Sequence, residues 1–371
     1  MSEVTGIEYA GVFVVTALLT LVVTPVAMRI ALRNNVLDHP NAIKAQESPV
    51  PYLGGAAIVV AFSAVVLAAA IVRPPTAGLA ELSIILGLGV GLSIAGLIDD
   101  LRGLSPLLRL LLEFAAGLTV ALTAAGAEIF SNDALNIVVT VAWIVAVTNA
   151  LNLLDNMDGL SAGVAGIAAV FLFVIAASNG QFLVATLAIA LAGCAGGFLR
   201  SNFHPARIYM GDAGALFIGF LLAVLTMKVQ LVNEPQLVSL ALPIVLLGMP
   251  LFDTTIVSVN RILHRRVPWS GGRDHVSHRL VFVGIPVPAA VTLIYIVSAS
   301  LGCMSYVLSK VDEGTALVLL GWIACLGVLL GVLLSRVPVY ETSRRKHLML
   351  QEVRRHEPGS VERPLRAAES G

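Results

Sequence analysis

The densest run of chemically capable residues is NALNLLDNMDG, Asn149 to Gly159. It sets Asn149, Asn152, Asp155 and Asp158 directly after an apolar stretch from Ala134 to Val147. Amides and carboxylates at a membrane boundary are costly unless they bind something. On a helix, the spacing keeps Asn149, Asn152 and Asp155 within roughly 120° of one another, while Asp158 lies about 180° from Asn149. A straight helix therefore cannot aim all four at one point, and the chain is expected to bend or end near Gly159. Oxygen-bearing side chains so placed suit a cation, a polar ligand, or both.

Four further stretches carry similar potential, each with a plainer explanation beside it. Asp99 and Asp100 close an apolar run just before LRGLSPLLR. Adjacent carboxylates repel, so they either form a polar helix stop partnered by Arg102 or serve in metal binding or as a general base. Asp212 sits between Gly211 and Gly214 in SNFHPARIYMGDAGALFIGF. It can act as a helix N-cap, or as a Mg²⁺ ligand of the kind that shares the ion with phosphate oxygens. Tyr209 can offer a stacking face to a base. Lys44 lies in the proline-rich loop DHPNAIKAQESPVPYLGG, either solvated or meeting a phosphate. In GRDHVSHRL, His275 and His278 stand among Arg273, Asp274 and Arg279. With no cysteine or third histidine nearby, zinc is not indicated. The cluster is expected to be cationic and to donate hydrogen bonds to an anion.

These residues need a membrane scaffold. The 371-residue chain is 57% apolar and only 12% charged, with a mean hydropathy of +0.91; soluble domains are normally about a quarter charged. The expected fold is all-α and polytopic, with about eleven transmembrane helices. The candidate spans are 9–32, 54–73, 82–98, 106–127, 134–153, 159–178, 181–199, 213–232, 236–260, 285–309 and 315–335. No basic residue precedes Arg29, so the first run is read as a span and not a secretory signal peptide. Cys194, Cys303 and Cys325 all lie in apolar runs, which indicates neither a disulfide framework nor a zinc site.

Charge orients the bundle. The odd-numbered connections hold Arg33, Lys44, Arg102, Arg109, Arg200, Arg207 and the run from Arg261 to Arg279, whereas the even-numbered ones hold Arg73, Lys228 and Lys310. The positive-inside rule places the odd connections in the cytoplasm, with the N-terminus outside and the C-terminus inside. The expected domain is an integral membrane unit over 1–335, followed by a basic cytoplasmic tail over 336–371 near anionic lipid. Asp38, Asp99, Asp100, Asp155, Asp158, Asp212, Asp253, Asp274 and all seven histidines then fall on the cytoplasmic side. The rule says little about acidic residues, so their clustering needs another cause: a site at the inner face of the plasma membrane.

Five motifs in order on one membrane face resemble the polyprenyl-phosphate N-acetylhexosamine-1-phosphate transferases, over about residues 10 to 335. They are PNAIKAQESPVPYLGG, the Asp99-Asp100 pair, NALNLLDNMDGL, NFHPARIYMGDAGALFIGF and GRDHVSHRL. That family, which begins peptidoglycan, teichoic acid and O-antigen assembly, moves a sugar 1-phosphate from a UDP-sugar to a polyprenyl phosphate and releases UMP. The resemblance implies Mg²⁺ as cofactor (with Mn²⁺ as a substitute), held by Asn152 and Asp212. It implies Asp99 and Asp100 at the lipid phosphate, with Asp99 as base. Asp155, Asp158 and Asn149 would shape the nucleotide-sugar pocket, Asn202 and Tyr209 would contact uracil, and Lys44, Arg273, His275 and His278 would balance charge. The implied partners are a UDP-N-acetylhexosamine (GlcNAc first), undecaprenyl phosphate and the bilayer, with no nucleic acid; a homodimer stays open.

The chain departs from the family pattern at particular places. Its first loop reads Ile43-Lys44-Ala45-Gln46 where Arg-Lys-x-His is usual. Ser277 stands where a third histidine is common, Asn156 where glycine is frequent, and Tyr209 where phenylalanine is more usual. The His-His-x-Glu stretch of the peptidoglycan branch is absent, so a UDP-MurNAc-pentapeptide is not the implied donor. The chemistry is compatible with direct attack or with an aspartyl-phosphate intermediate. The rival function is a transporter with the carboxylates as an ion relay, which fits less well because transporters bind cargo near the midplane. A structural scaffold gives no reason for the one-sided acidic residues.

Overall fold

A computed structural model describes residues 6–39, 48–73, 78–123, 126, 130–229, 236–268 and 271–340. The described chain is helical apart from one antiparallel pair of two-residue strands, β1 (Leu37–Asp38) and β2 (Val50–Pro51). The helices before the site loop are α1 (Gly6–Arg33), α2 (Gly54–Val72), α3 (Leu79–Arg102), α4 (Pro106–Ala121) and α5 (Asp133–Leu154). Those after it are α6 (Leu160–Ser178), α7 (Phe182–Asn202), α8 (Gly211–Lys228), α9 (Gln236–Leu246), α10 (Gly248–Leu263), α11 (Val276–Phe282), α12 (Val287–Leu308) and α13 (Glu313–Ser335).

Among the described residues, nine helices are long and apolar enough to cross a membrane; α9 and α10 meet at a 75° bend, the geometry of a broken span or a re-entrant loop, and count as a tenth only if the pair is one span. The bend has a local cause. Pro250 has no N–H to return to the carbonyl four residues earlier, and Gly248 beside it resists the turn least. The remaining expected span, 106–127, is here the 16-residue α4, shorter than the ~20 residues a crossing needs. Its start is set by Ser105, whose hydroxyl accepts the Leu108 amide at 3.2 Å, and by Pro106 in the first turn.

Helix α8 is the axis of the bundle. It is apolar on every face, so it is stable only when surrounded, and α2, α3 and α5 pack around it. Its residues from Ala213 to Thr226 are all buried. By contrast, α13 buries only Ala316 and exposes its apolar side chains, Trp322 at 72% among them. Such a surface is stable against lipid and not against water.

Close helix crossings bring the chemistry together. A Cβ on Gly96 would lie 2.5 Å from the backbone carbonyl carbon of Asp212, so the end of α3 reaches the start of α8 only through glycine. At the opposite end of the bundle, ion pairs join Arg73 to Glu8 and Lys228 to Glu81, both at 2.7 Å. The polar residues of the motifs gather at the other end. The tail from 341 onward, and with it most of the expected 336–371 extension, lies outside the described residues.

Candidate active site

Helix α5 ends at Leu154, and Asp155 and Asp158 fall in the turn closed by Gly159, which has φ +75°. The expected break is present, and it divides the polar set. Asn149 and Asn152 remain on the helix while the two aspartates occupy the loop.

The centre of the site is a contact between helices. Asn152 Nδ2 donates to Asp212 Oδ1 at 2.7 Å. Arg109 Nη1, from α4, donates to Asp212 Oδ2 at 3.1 Å and to Asp99 Oδ2 at 3.2 Å. The other Asp99 oxygen accepts the Leu104 amide at 2.6 Å. Asp100 turns the opposite way and accepts the backbone amides of Asp212 at 3.1 Å and Ala213 at 3.4 Å. The helix α8 N-terminus has no side-chain cap of its own, so Asp100 caps it from another helix. The cap explanation offered for Asp212 therefore belongs to Asp100, and Asp212 keeps its carboxylate for the cluster.

Behind Arg109 lies Glu113, fully buried on α4 and 4.0 Å from the guanidinium. Asn149 Nδ2 donates to Glu113 Oε2, so this asparagine braces α4 against α5. Asn202 is likewise occupied, 3% exposed, accepting the Gly159 amide at 3.1 Å and donating to the Ile208 carbonyl at 3.0 Å. These two bonds make Asn202 a clamp between two loops. Asp158 Oδ2 meets His204 Nδ1 at 2.8 Å and accepts the Ala206 amide at 3.0 Å, a second tie between the same loops. The backbone of Tyr209 is pinned by its amide to Pro51 at 2.8 Å and by its carbonyl to Gly54 at 3.0 Å.

Asp155 is different. Its carboxylate has no hydrogen-bond donor among the described residues, and burial, then repulsion from Asp212, Asp100 and Asp158, pushes its pKa up to about 8. Among the described residues no three His, Cys, Asp or Glu side chains form a ready metal cage. The donor set nevertheless fits a hard dication that takes few protein ligands. Several carboxylates repel one another around Asp155, and amide and carboxylate oxygens are what such an ion accepts. Asn152 would offer its oxygen by turning the amide that now points nitrogen toward Asp212.

The histidine loop forms a separate wall. His275 Nδ1 meets Asp253 Oδ2 at 2.7 Å, and the Val276 amide donates to Asp253 Oδ1 at 2.7 Å. An aspartate of α10 thus caps α11, as Asp100 caps α8. His278 is neutral at physiological pH, its pKa lowered to about 4 by burial, then by His275 and Arg273. This corrects the expectation of two cationic, donating histidines. Asp274 anchors the loop's base: Arg261 grips it at 2.7 and 2.8 Å, and Tyr340 donates to it at 2.7 Å. Lys44 lies outside the described residues, and Arg273 is exposed at the loop's edge.

The glycosyl transferase family 4 model matches residues 82–230, which carry Asp99, Asp100, Asn152, Asp155, Asp158 and Asp212. A probable undecaprenyl-phosphate N-acetylglucosaminyl 1-phosphate transferase of Bacillus subtilis is 33% identical over 294 residues, covering 77% of this chain and 80% of that protein. The chain belongs to glycosyl transferase family 4, the polyprenyl-phosphate N-acetylhexosamine-1-phosphate transferases. A decaprenyl-phosphate N-acetylglucosaminephosphotransferase of Mycobacterium tuberculosis is 27% identical over 355 residues, 86% of this chain and 88% of the relative. A phospho-N-acetylmuramoyl-pentapeptide-transferase of Moorella thermoacetica reaches 50% identity, but over 76 residues, 20% of this chain and 24% of the relative.

Within this family-4 site, sequence reasoning missed Arg109, Glu113 and Asp253 as members. Arg109 counted only as a topogenic charge. The i, i+4 pair Arg109 and Glu113 on an otherwise apolar helix was the available signal. Asp253 was visible as a carboxylate within an apolar run, but its partner His275 is 22 residues away in sequence.

Proposed function

We propose that this chain transfers GlcNAc-1-phosphate from UDP-GlcNAc to a polyprenyl phosphate, undecaprenyl phosphate first among them, at the cytoplasmic face of the plasma membrane. The observation that carries the proposal is the convergence of Asp99, Arg109, Asn152 and Asp212 from four helices at one end of an apolar bundle. Phosphoryl transfer asks a protein mainly for positioning and charge neutralisation, and this cluster supplies both. Its place at the end of the bundle is where a soluble nucleotide and a lipid phosphate can meet. A transporter would want such groups near the middle of the membrane.

In the proposed reaction, an oxygen of the lipid phosphate attacks the β-phosphorus of UDP-GlcNAc. A new P–O bond forms, the bond from the β-phosphorus to the bridging oxygen breaks, and UMP leaves. A phosphate monoester has its second pKa near 6, so the acceptor is largely dianionic at neutral pH, and Asp99 takes any remaining proton. Arg109 holds Asp99 and Asp212 at a fixed separation. Asp100 fixes the backbone from which Asp212 projects. Asp158, Asn202 and Tyr209 shape the nucleotide side, while Lys44, Arg273 and the histidine loop enclose the sugar and pyrophosphate. Asp212 and Asn152, with Asp155 beside them, would hold Mg²⁺. Such an ion neutralises the pyrophosphate and stabilises the leaving phosphate.

The test is transfer of radiolabel from UDP-GlcNAc into the lipid phase by solubilised protein supplied with polyprenyl phosphate, with and without EDTA. Label that requires the lipid acceptor and disappears with EDTA is the expected result. Failure to transfer from UDP-GlcNAc and from UDP-GalNAc, in protein shown to be folded, would overturn the donor assignment.

A further inference from the structure

Asn156 and Ser277, two of the positions at which the chain departs from the family pattern, touch each other. Ser277 Oγ donates to Asn156 Oδ1 at 2.6 Å, across 121 residues of chain. This joins the loop of Asp155 and Asp158 to the loop of His275 and His278. Ser277 is 1% exposed, so the bond is sheltered from water.

The direction of each hydrogen bond can be worked out. Asn156 Nδ2 donates to the Leu153 carbonyl at 2.8 Å. A carbonyl only accepts, so the amide nitrogen must face Leu153 and its oxygen must face Ser277. That oxygen takes the one proton of the Ser277 hydroxyl. Ser277 Oγ also lies 3.4 Å from His278 Nδ1, and toward this nitrogen it can now only accept. Nδ1 must then carry the imidazole proton. In a neutral imidazole the other nitrogen is left with a lone pair. The ring is neutral at physiological pH, and Nε2 has no hydrogen-bond partner among the described residues.

We propose that Asn156 and Ser277 are positioning residues that hold His278 as its Nδ1–H tautomer, so that Nε2 accepts a hydrogen bond from a hydroxyl or the acetamido N–H of the donor sugar. The inference rests on the nucleotide-sugar reading of the site. It gives His278 a role opposite to that of a phosphate-binding donor, because a lone pair repels phosphate oxygens. It also gives the loop a sugar-sensing element, since a donor without a suitably placed O–H or N–H leaves Nε2 unmatched.

The experiment is nitrogen NMR of full-length, ¹⁵N-histidine-labelled protein in nanodiscs, with the His278 signal assigned by its loss in His278→Gln. A protonated Nδ1 and an unprotonated Nε2 are expected in the unmodified chain. Ser277→Ala should return the ring to the Nε2–H form that free imidazole side chains favour, and Ser277→Thr should restore Nδ1–H. A His278 protonated on Nε2 in the unmodified chain overturns the relay. The second measurement is binding of UDP-GlcNAc and of UDP to the same proteins. Ser277→Ala should weaken UDP-GlcNAc about tenfold, the scale of one net hydrogen bond, and leave UDP unchanged. Equal weakening of both, or of neither, removes the sugar from the proposal. These readouts need no turnover, so they stand apart from a failure of the transfer assay.

Discussion

The Asp100 carboxylate holds the backbone amide of Asp212 at 3.1 Å, so one aspartate of the site sets the position of another. The same oxygens approach Gly211, where φ is +70° and a Cβ would lie 2.5 Å from Asp100 Oδ2. Gly211→Ala is therefore expected to push α3 and α8 apart and to reduce turnover below about 1%, a barrier increase of a few kcal/mol. Asp100→Ala should cost about 1–2 kcal/mol of stability, as loss of a helix cap does, with a much larger loss of rate. Comparing melting temperature with turnover checks both: an Asp100→Ala protein that melts lower yet transfers normally would separate Asp100 from the chemistry.

Arg109 reaches Asp99 and Asp212 with one nitrogen, at 3.2 and 3.1 Å. Lysine carries a compact charge without the planar fork, so Arg109→Lys should retain only partial activity. Arg109→Ala leaves the carboxylates unneutralised and should abolish transfer. It also removes a cation that competes with Mg²⁺ for Asp212. Thermal protection by Mg²⁺ is expected at lower concentrations in Arg109→Ala than in the unmodified protein, and protection at higher concentrations would contradict the shared position.

Asp155 has a pKa of about 8 without a bound cation, so at pH 7 the folded chain carries it mostly protonated. Its value lies above that of the unfolded chain, which makes its stabilising contribution complete at acidic pH and lost as pH rises from about 4 toward 8. A dication nearby favours the carboxylate. Adding Mg²⁺ at pH 7 should then release protons, detectable by calorimetry in buffers of different ionisation enthalpy. Release should vanish in Asp155→Asn and shrink at pH 9, where the group is already ionised.

Asn202 satisfies the Gly159 amide and the Ile208 carbonyl from a buried position. Asn202→Ala strands both, at about 1–3 kcal/mol per buried group. Melting temperature should fall by several degrees, and the KM for UDP-GlcNAc should rise because the Asp158 loop loses its clamp. Unchanged stability with weakened UDP binding would instead support the direct uracil contact that the family resemblance implies.

The helices and the main carboxylates were legible because they answer to local rules. Apolar runs of about 20 residues announce spans, and Asp99, Asp155 and Asp212 stand out against them. What escaped was pairing. Nothing near Asp100 shows that it caps a helix starting more than a hundred residues later, and nothing near Asn149 shows Glu113 across the helix interface. Arg109 was hidden by its usefulness for topology, which gives a sufficient reason for an arginine at that position. The histidine cluster was misjudged in charge because the burial of His278, the largest cause of its lowered pKa, exists only once the chain is folded.

His278 offers the most direct test of that correction. Burial first, then His275 and Arg273, lowers its pKa to about 4 from 6.5. The unfolded chain therefore takes up a proton near pH 6.5 that the folded chain refuses until near pH 4. Stability contributed by the neutral ring is complete above about pH 6.5 and falls with decreasing pH through that window. Each pH unit inside it is worth about 1.4 kcal/mol for a fully shifted group. His278→Gln, which cannot titrate, should lose less stability than the unmodified chain between pH 7 and pH 4.5, by about 2 kcal/mol. Denaturant melts in detergent at the two pH values measure the difference. An equal loss in both proteins would mean that His278 is charged in the fold, and the donating, phosphate-facing role would return.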